Sequence, residues 1–364
     1  MKKGLLPLIV FVLLSVYSYA QNCAPCGPAP CNCSSCDNSR DYSCGNECDA
    51  CFQPCIYVPC FYGRADAVLW NIGANNRTLV ERLNPRTGNS DPAFDANDFG
   101  RSGGSPRILL GMNLTSLLGV EGQYNGFQNW QSTKTLTGAH DLRLPGALGE
   151  VTGGWGEDFF GSDRMTLFSE TSFHSAELNL VRRTRYPSLV WLAGFRYFNF
   201  EENFDLMSAP FANQGSYQFS NYAAATTNNL YGGQLGAKWD RLITDRFGLQ
   251  AVGKTGVYSN EARQKSYICE GPRYDGNSSL NVPQSDDVKK TYTSLSGEVN
   301  LGGYFKVTRN VSIVGGYNFL WIGDVARAAD QLDFDRLPLV GRNRTVTTDT
   351  LFLHGASVGV EWNF

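Results

Sequence analysis

From residue 61 to the C-terminus, apolar residues alternate with polar or small ones and seldom run together. A period of two marks a strand with one apolar face. Ten segments carry it: 61–70, 107–114, 118–125, 171–181, 189–200, 229–239, 247–258, 295–307, 311–321 and a last one ending at 364. In the fourth, Ala176, Leu178 and Leu180 face away from Glu177 and Asn179. In the fifth, Trp191, Ala193, Phe195 and Tyr197 oppose Gly194 and Arg196, and in the eighth Val299, Leu301 and Phe305 oppose Glu298, Asn300 and Lys306.

The connections alternate in length without a break: long at 71–106, 126–170, 201–228, 259–294 and 322–349, short at 115–117, 182–188, 240–246 and 308–310. A soluble sandwich or lipocalin-like barrel has no reason to sort its loops this way and puts its apolar face inward. A membrane barrel does sort them, with short periplasmic turns and long outer loops. The expected fold class is all-β: a transmembrane, antiparallel, up-and-down β-barrel of about ten strands, within roughly 8–14. The even count puts both ends of the barrel on the periplasmic side. No stretch after residue 20 is long and apolar enough for a spanning helix.

The last strand adds a separate signal. Val358, Val360, Trp362 and Phe364 alternate toward a terminal aromatic, the pattern expected to be read by the barrel insertion machinery. Trp70, Tyr197, Trp239, Tyr258, Trp321 and Trp362 sit near strand ends, where amphipathic rings suit the headgroup level.

The N-terminus sets the compartment. Lys2 and Lys3 precede an apolar stretch from Leu5 to Val16, followed by Ser18-Tyr19-Ala20. This reads as a signal peptide over residues 1–20. Residues 21–60 form a Cys/Pro-rich segment, disordered or disulfide-linked, and 61–364 the barrel. Ten of the eleven cysteines fall in that segment: Cys23, Cys26, Cys31, Cys33, Cys36, Cys44, Cys48, Cys51, Cys55 and Cys60. An even count in an oxidising compartment points to disulfides, within the chain or between chains. The Cys-x2-Cys pairs at 23/26, 33/36 and 48/51 also permit zinc, though zinc sites space their pairs over a longer structured stretch.

With 39 Gly, 17 Tyr, 22 Phe and 7 Trp, the composition suits a barrel, and a net charge of −3 argues against a nucleic-acid partner. By alternation, the charged residues facing the lumen are Arg64, Asp66, Arg107, Glu121, Glu177, Arg196, Lys238, Lys254, Glu298, Lys306 and Glu361. Their signs nearly balance. A barrel of about eight strands is filled by side chains, and open channels belong to about 16–18. The lumen is therefore expected to be plugged by ion pairs and hydrogen bonds.

No catalytic role is expected. The three histidines are His140, His174 and His354. Alternation aims His174, Ser172 and Glu170 the same way, toward lipid, and also puts His354 on the apolar face. The acidic stretch Asp330–Asp335 departs from a calcium loop and reads as solvated. No cofactor or metal is expected, and the partners are outer-membrane lipid, the insertion machinery and other chains joined by disulfides.

The segments FYGRADAVLW (61–70), LGVEGQY (118–124), LAGFRYFNFEE (192–202), NLYGGQLG (229–236) and GKTGVYSN (253–260) resemble the outer-membrane β-barrel family abundant in Planctomycetes. The resemblance covers roughly 61–364 and implies a barrel in the outer membrane of a Gram-negative-type bacterium. It brings no chemistry with it and leaves the cysteine segment outside. The expected function is a structural envelope role. The alternatives are a narrow pore for small solutes and an adhesin acting through the long loops.

Overall fold

The structure, a computed structural model, describes residues 61–364 apart from 74, 101, 116, 127–128, 150–156, 185–187, 211, 215–218, 270–283, 336–344 and 364. The signal peptide (1–20), the ten clustered cysteines (21–60) and Phe364 lie outside the described residues.

Thirteen strands form one antiparallel sheet. They are β1 (Phe61–Ile72), β2 (Thr78–Leu83), β3 (Ser90–Asp95), β4 (Ser102–Asn113), β5 (Leu118–Asn125), β6 (Asn129–Arg143), β7 (Ser162–Arg183), β8 (Leu189–Ala209), β9 (Ser220–Leu242), β10 (Phe247–Cys269), β11 (Gln284–Lys306), β12 (Val311–Ala326) and β13 (Thr348–Asn363). Ten of them close a ring in the order β1-β4-β5-β7-β8-β9-β10-β11-β12-β13 and back to β1. Both ring ends lie at one rim, where Tyr62 pairs with Asn363. The short turns share that periplasmic rim. Three of them repeat one device: the hydroxyls of Thr115, Thr244 and Thr308 accept the backbone N–H of Leu118, Phe247 and Val311, each at 3.0 Å. A threonine two residues past the strand thus supplies the acceptor that ends it.

In the periplasmic half of the barrel the outer face is apolar. Leu69, Leu178, Leu235 and Val358 are each at least 60% exposed. A soluble surface would not show such a band; a hydrocarbon layer requires it. Trp239, Trp321 and the stacked pair Tyr197–Tyr231 also face outward. Trp70 and Tyr258 do not. They point inward, 3% and 2% exposed, and join an apolar layer inside the barrel. Proximity to a strand end is therefore not enough to place a ring at the headgroups; its phase in the alternation decides.

The strands run well past the membrane. β9, β10 and β11 each have 23 residues, about 75 Å at roughly 3.3 Å per residue, whereas crossing takes about 9–11. The connections 201–228 and 259–294, expected as loops, are largely strand. Those at 71–106 and 126–170 hold β2, β3 and β6. β5 pairs the periplasmic half of β7, from Leu118↔Arg182 to Asn125↔Ser175, and β6 takes its place above, starting at Asn129↔Ser172.

Above the membrane the polarity inverts while the register continues. On β8 the outward series passes from Trp191, Ala193, Phe195 and Tyr197 to Asn199, Glu201, Asn203 and Asp205. The inward series passes from Gly194 and Arg196 to Phe198, Phe200, Phe204 and Leu206, all buried. Where the surroundings change from hydrocarbon to water, the apolar face changes sides.

This inversion predicts opposite tolerance along one face of β9. Leu235→Arg, at an outward position that is 65% exposed, should weaken membrane insertion by about 2–4 kcal/mol if it lies at mid-bilayer. Thr227→Arg, on the same face eight residues further out, should leave it unchanged. Urea titration of folding into lipid vesicles measures both, and equal losses would contradict the inversion.

Candidate functional site: a filled lumen

The sequence-predicted inward charges fall into three groups near the periplasmic half. Asp66 on β1 accepts Nε of Arg64 at 2.8 Å and Nε of Arg107 from β4 at 2.9 Å. Arg107 then reaches β12, donating Nη1 to Asn318 Oδ1 at 2.9 Å. Glu121 on β5 pairs with Lys238 from β9 and accepts the Tyr62 hydroxyl at 3.1 Å.

The third group is the most buried. Glu177, Arg196, Lys254 and Glu298 come from β7, β8, β10 and β11 and are at most 8% exposed. Lys254 Nζ lies 2.8 Å from Glu177 Oε2, and Arg196 Nη2 lies 3.4 Å from Glu177 Oε1. Arg196 also pairs with Glu298, and its guanidinium sits 4.1 Å from the centre of the Phe198 ring. Gln123, Asn179 and Gln234 donate to Glu177 at 3.0, 3.1 and 2.8 Å, and Asn300 donates to Glu298 at 2.7 Å. Two positive and two negative charges cancel, and the amides take up carboxylate lone pairs that water would otherwise fill. Lys306 and Glu361 stand apart, partly exposed near the periplasmic rim.

A list of charges misses these amides, although Gln123, Asn179, Gln234 and Asn300 share the inward phase of their charged neighbours.

Beyond the charges lies the apolar layer. Val68, Trp70, Phe198, Phe200, Leu230, Tyr258, Leu320 and Leu353 meet across the lumen. Further out, residues 327–335, which follow β12, fold back into the barrel. This segment was expected to be a solvated acidic loop, yet Gln331, Leu332 and Phe334 are buried. The wall holds it by polar side chains from inward positions. Glu202 on β8 accepts Arg327 Nη2 at 3.2 Å and Ala328 N at 3.0 Å. Asn228 on β9 bonds both the N–H and the carbonyl of Ala326 at 2.8 Å. Asn260 on β10 donates to Asp324 O at 2.7 Å, where the chain turns inward at a left-handed Asp324, φ 54°. Above this plug, Leu79, Phe94, Phe99, Leu142, Leu206, Tyr222, Leu332 and Phe334 form an outer core. These residues lie in segments whose outward apolar face has ended, which is why a search for lipid-facing alternation passes over them.

Residues 164–364 match the family model described as Putative beta barrel porin-7 (BBP7). The chain belongs to this family. Its membership and the apolar girdle place it in the outer membrane of a Gram-negative-type bacterium. No curated protein sequence matches the chain. Among solved structures it is similar to the protease OmpT of Escherichia coli, with 10% identity over 84% of this chain and 96% of that one and a TM-score of 0.39. It is also similar to the translocator domain of the autotransporter NalP of Neisseria meningitidis (9%, 85% and 89%, 0.36). A third likeness is to the toluene transporter TodX of P. putida (10%, 84% and 90%, 0.32).

The four-charge cluster predicts a strong asymmetry. Glu177→Ala leaves Arg196 and Lys254 under-paired and should destabilise the barrel by about 3–5 kcal/mol, whereas replacing all four charges by Met or Leu should be close to neutral. Denaturant unfolding of the vesicle-inserted protein, followed by tryptophan fluorescence, compares the two. A quadruple variant no more stable than the single one would contradict the pairing.

Proposed function

We propose that this BBP7 barrel is an integral envelope protein with a structural role: a closed wall element that carries a folded outer head. The observation that supports it best is the filling of the lumen. Among the described residues, the charge cluster, the apolar layer and the folded-back residues 327–335 succeed one another along the axis. Ten strands leave little room for anything wider. A narrow pore for small solutes is the second reading, and the family description, which names porins, favours it. An adhesin is the third; the open groove of 510 Å³ beside the β2–β3 hairpin, lined by Arg82, Arg86, Asp91 and Asp141, supports it.

A non-enzymatic reading rests on how the histidines are engaged. His174 Nδ1 lies 3.0 Å from the Tyr124 hydroxyl and His354 Nδ1 2.6 Å from that of Tyr317, both on the outward face. His140 contacts Asp163 at 3.3 Å in the outer head.

Two experiments bear on this reading. In planar bilayers the purified protein should leave the membrane insulating; discrete ohmic steps would establish the pore instead. The other concerns residues 21–60. Because β1 starts at the periplasmic rim, we propose that the ten cysteines before it cross-link neighbouring barrels into a covalent layer. Envelope material with thiols blocked at lysis should then run as a ladder that reductant collapses. A monomer band in both lanes would refute cross-linking.

A further inference from the structure

Between the charge cluster and the periplasmic rim, the described residues leave part of the lumen open. A cavity of 280 Å³ remains. It exists partly because the wall is bare at this level: Gly302 on β11 and Gly316 on β12 stand opposite each other, and both line it. Lys254, Asn300 and Asn318 line its inner end, and Tyr62, Arg183 and Asp240 line it beside the short turns. It is a cup, closed toward the outside by the cluster and the apolar layer above it.

The polar groups in this cup have capacity left over. Arg64 spends Nε on the two oxygens of Asp66, at 2.8 and 3.0 Å. Among the described residues its terminal nitrogens Nη1 and Nη2 have no acceptor, and its side chain is 15% exposed. Glu361 faces inward directly opposite Arg64 in the β1–β13 register; the Asn363 side chain hydrogen-bonds it, and it makes no ion pair at contact distance among the described residues. A guanidinium fork with free donors therefore stands next to a carboxylate with free acceptors. Directly opposed positions on neighbouring strands are about 4.5–5.5 Å apart at Cβ. The site thus suits a carboxylate and an ammonium held close together in one molecule. The fork matches a carboxylate in two parallel hydrogen bonds.

Around the cup, Arg64, Arg107, Arg183, Lys238 and Lys254 face Asp66, Asp240 and Glu361, and Glu121 and Glu177, the partners of Lys238 and Lys254, bring the two signs to five each. A neutral field favours a ligand without net charge over a plain anion. Leu109, Val190 and Val252 add apolar wall, which suits a small aliphatic group. Pockets for drug-sized ligands run to roughly 300–1,000 Å³, so this one takes something smaller.

We propose that the periplasmic cup is a binding site for a small aliphatic α-amino acid, its carboxylate on Arg64 and its ammonium on Glu361. The site does not require conduction and can exist in a sealed barrel.

Titration calorimetry on the purified full chain in detergent tests it, with three probes of matched shape. These are L-valine, 3-methylbutanoate (valine without the ammonium) and isobutylamine (valine without the carboxylate). Valine should bind saturably at one site, and each truncated probe at least about tenfold more weakly, a buried charge pair being worth more than 1.4 kcal/mol. Arg64→Gln and Glu361→Gln should each lose valine binding by a similar factor. Heat-modifiable electrophoretic mobility confirms that each variant still folds. Should Arg64→Gln fail to fold, by freeing Asp66, Glu361→Gln alone decides, since Glu361 supports no other ion pair. Absence of saturable valine binding, equal binding of 3-methylbutanoate, or undiminished binding in a folded variant would each overturn the proposal.

Discussion

One strand set has to satisfy two solvents. Hydrogen bonding closes the ten-stranded ring without an edge in the membrane, and that closure locks every residue of a strand to the inside or the outside for its whole length. The surroundings then change from hydrocarbon to water partway along. Because the register cannot slip, the residue types must change phase instead. On β8 the switch falls between Tyr197 and Asn199 outside and between Arg196 and Phe198 inside. Most of the architecture follows from it: a polar lumen within the membrane, an apolar core above it, and strands of up to 23 residues joining the two.

A polar lumen of this width cannot stay empty or hold isolated charges. Taking an unpaired carboxylate or ammonium out of water costs several kcal/mol, so buried charges occur together with partners and hydrogen bonds. The cluster of Glu177, Arg196, Lys254 and Glu298 meets that condition by drawing each charge from a different strand. Arg196 and Glu298 are separated around the ring by β9 and β10, so the pair spans the lumen. The same holds for Lys238 with Glu121 and for Arg107 with Asn318. Such contacts tie opposite walls together, which ladder hydrogen bonds between neighbours cannot do.

The folded-back stretch at and after the end of β12 extends this logic beyond the membrane. Its backbone carries N–H and carbonyl groups into an interior without ladder partners, and each needs an acceptor or donor there. Glu202, Asn228 and Asn260 provide them from three successive strands. Leu332 and Phe334 then contribute to the core that the wall's own Leu206 and Tyr222 begin.

The barrel and its strand order were legible from residue pattern alone, because period-two alternation and loop length depend only on local sequence. Leu178, Leu235 and Leu301 marked the lipid face, and Lys254 and Glu298 the inward phase, by the same rule. The phase switch was also written there: Phe198, Phe200, Phe204 and Leu206 alternate with Asn199, Glu201, Asn203 and Asp205. It lies beyond the outward apolar series, the one signal that lipid-facing alternation supplies. The tertiary structure alone could decide which charges meet, since Arg196 and Glu298 lie 102 residues apart and only closure of the ring brings them together. It also decided the fate of Asp330–Asp335. Its aspartates stay partly or fully exposed, but the space inside a finished barrel, with Glu202 placed to meet Arg327, takes in Gln331, Leu332 and Phe334 between them.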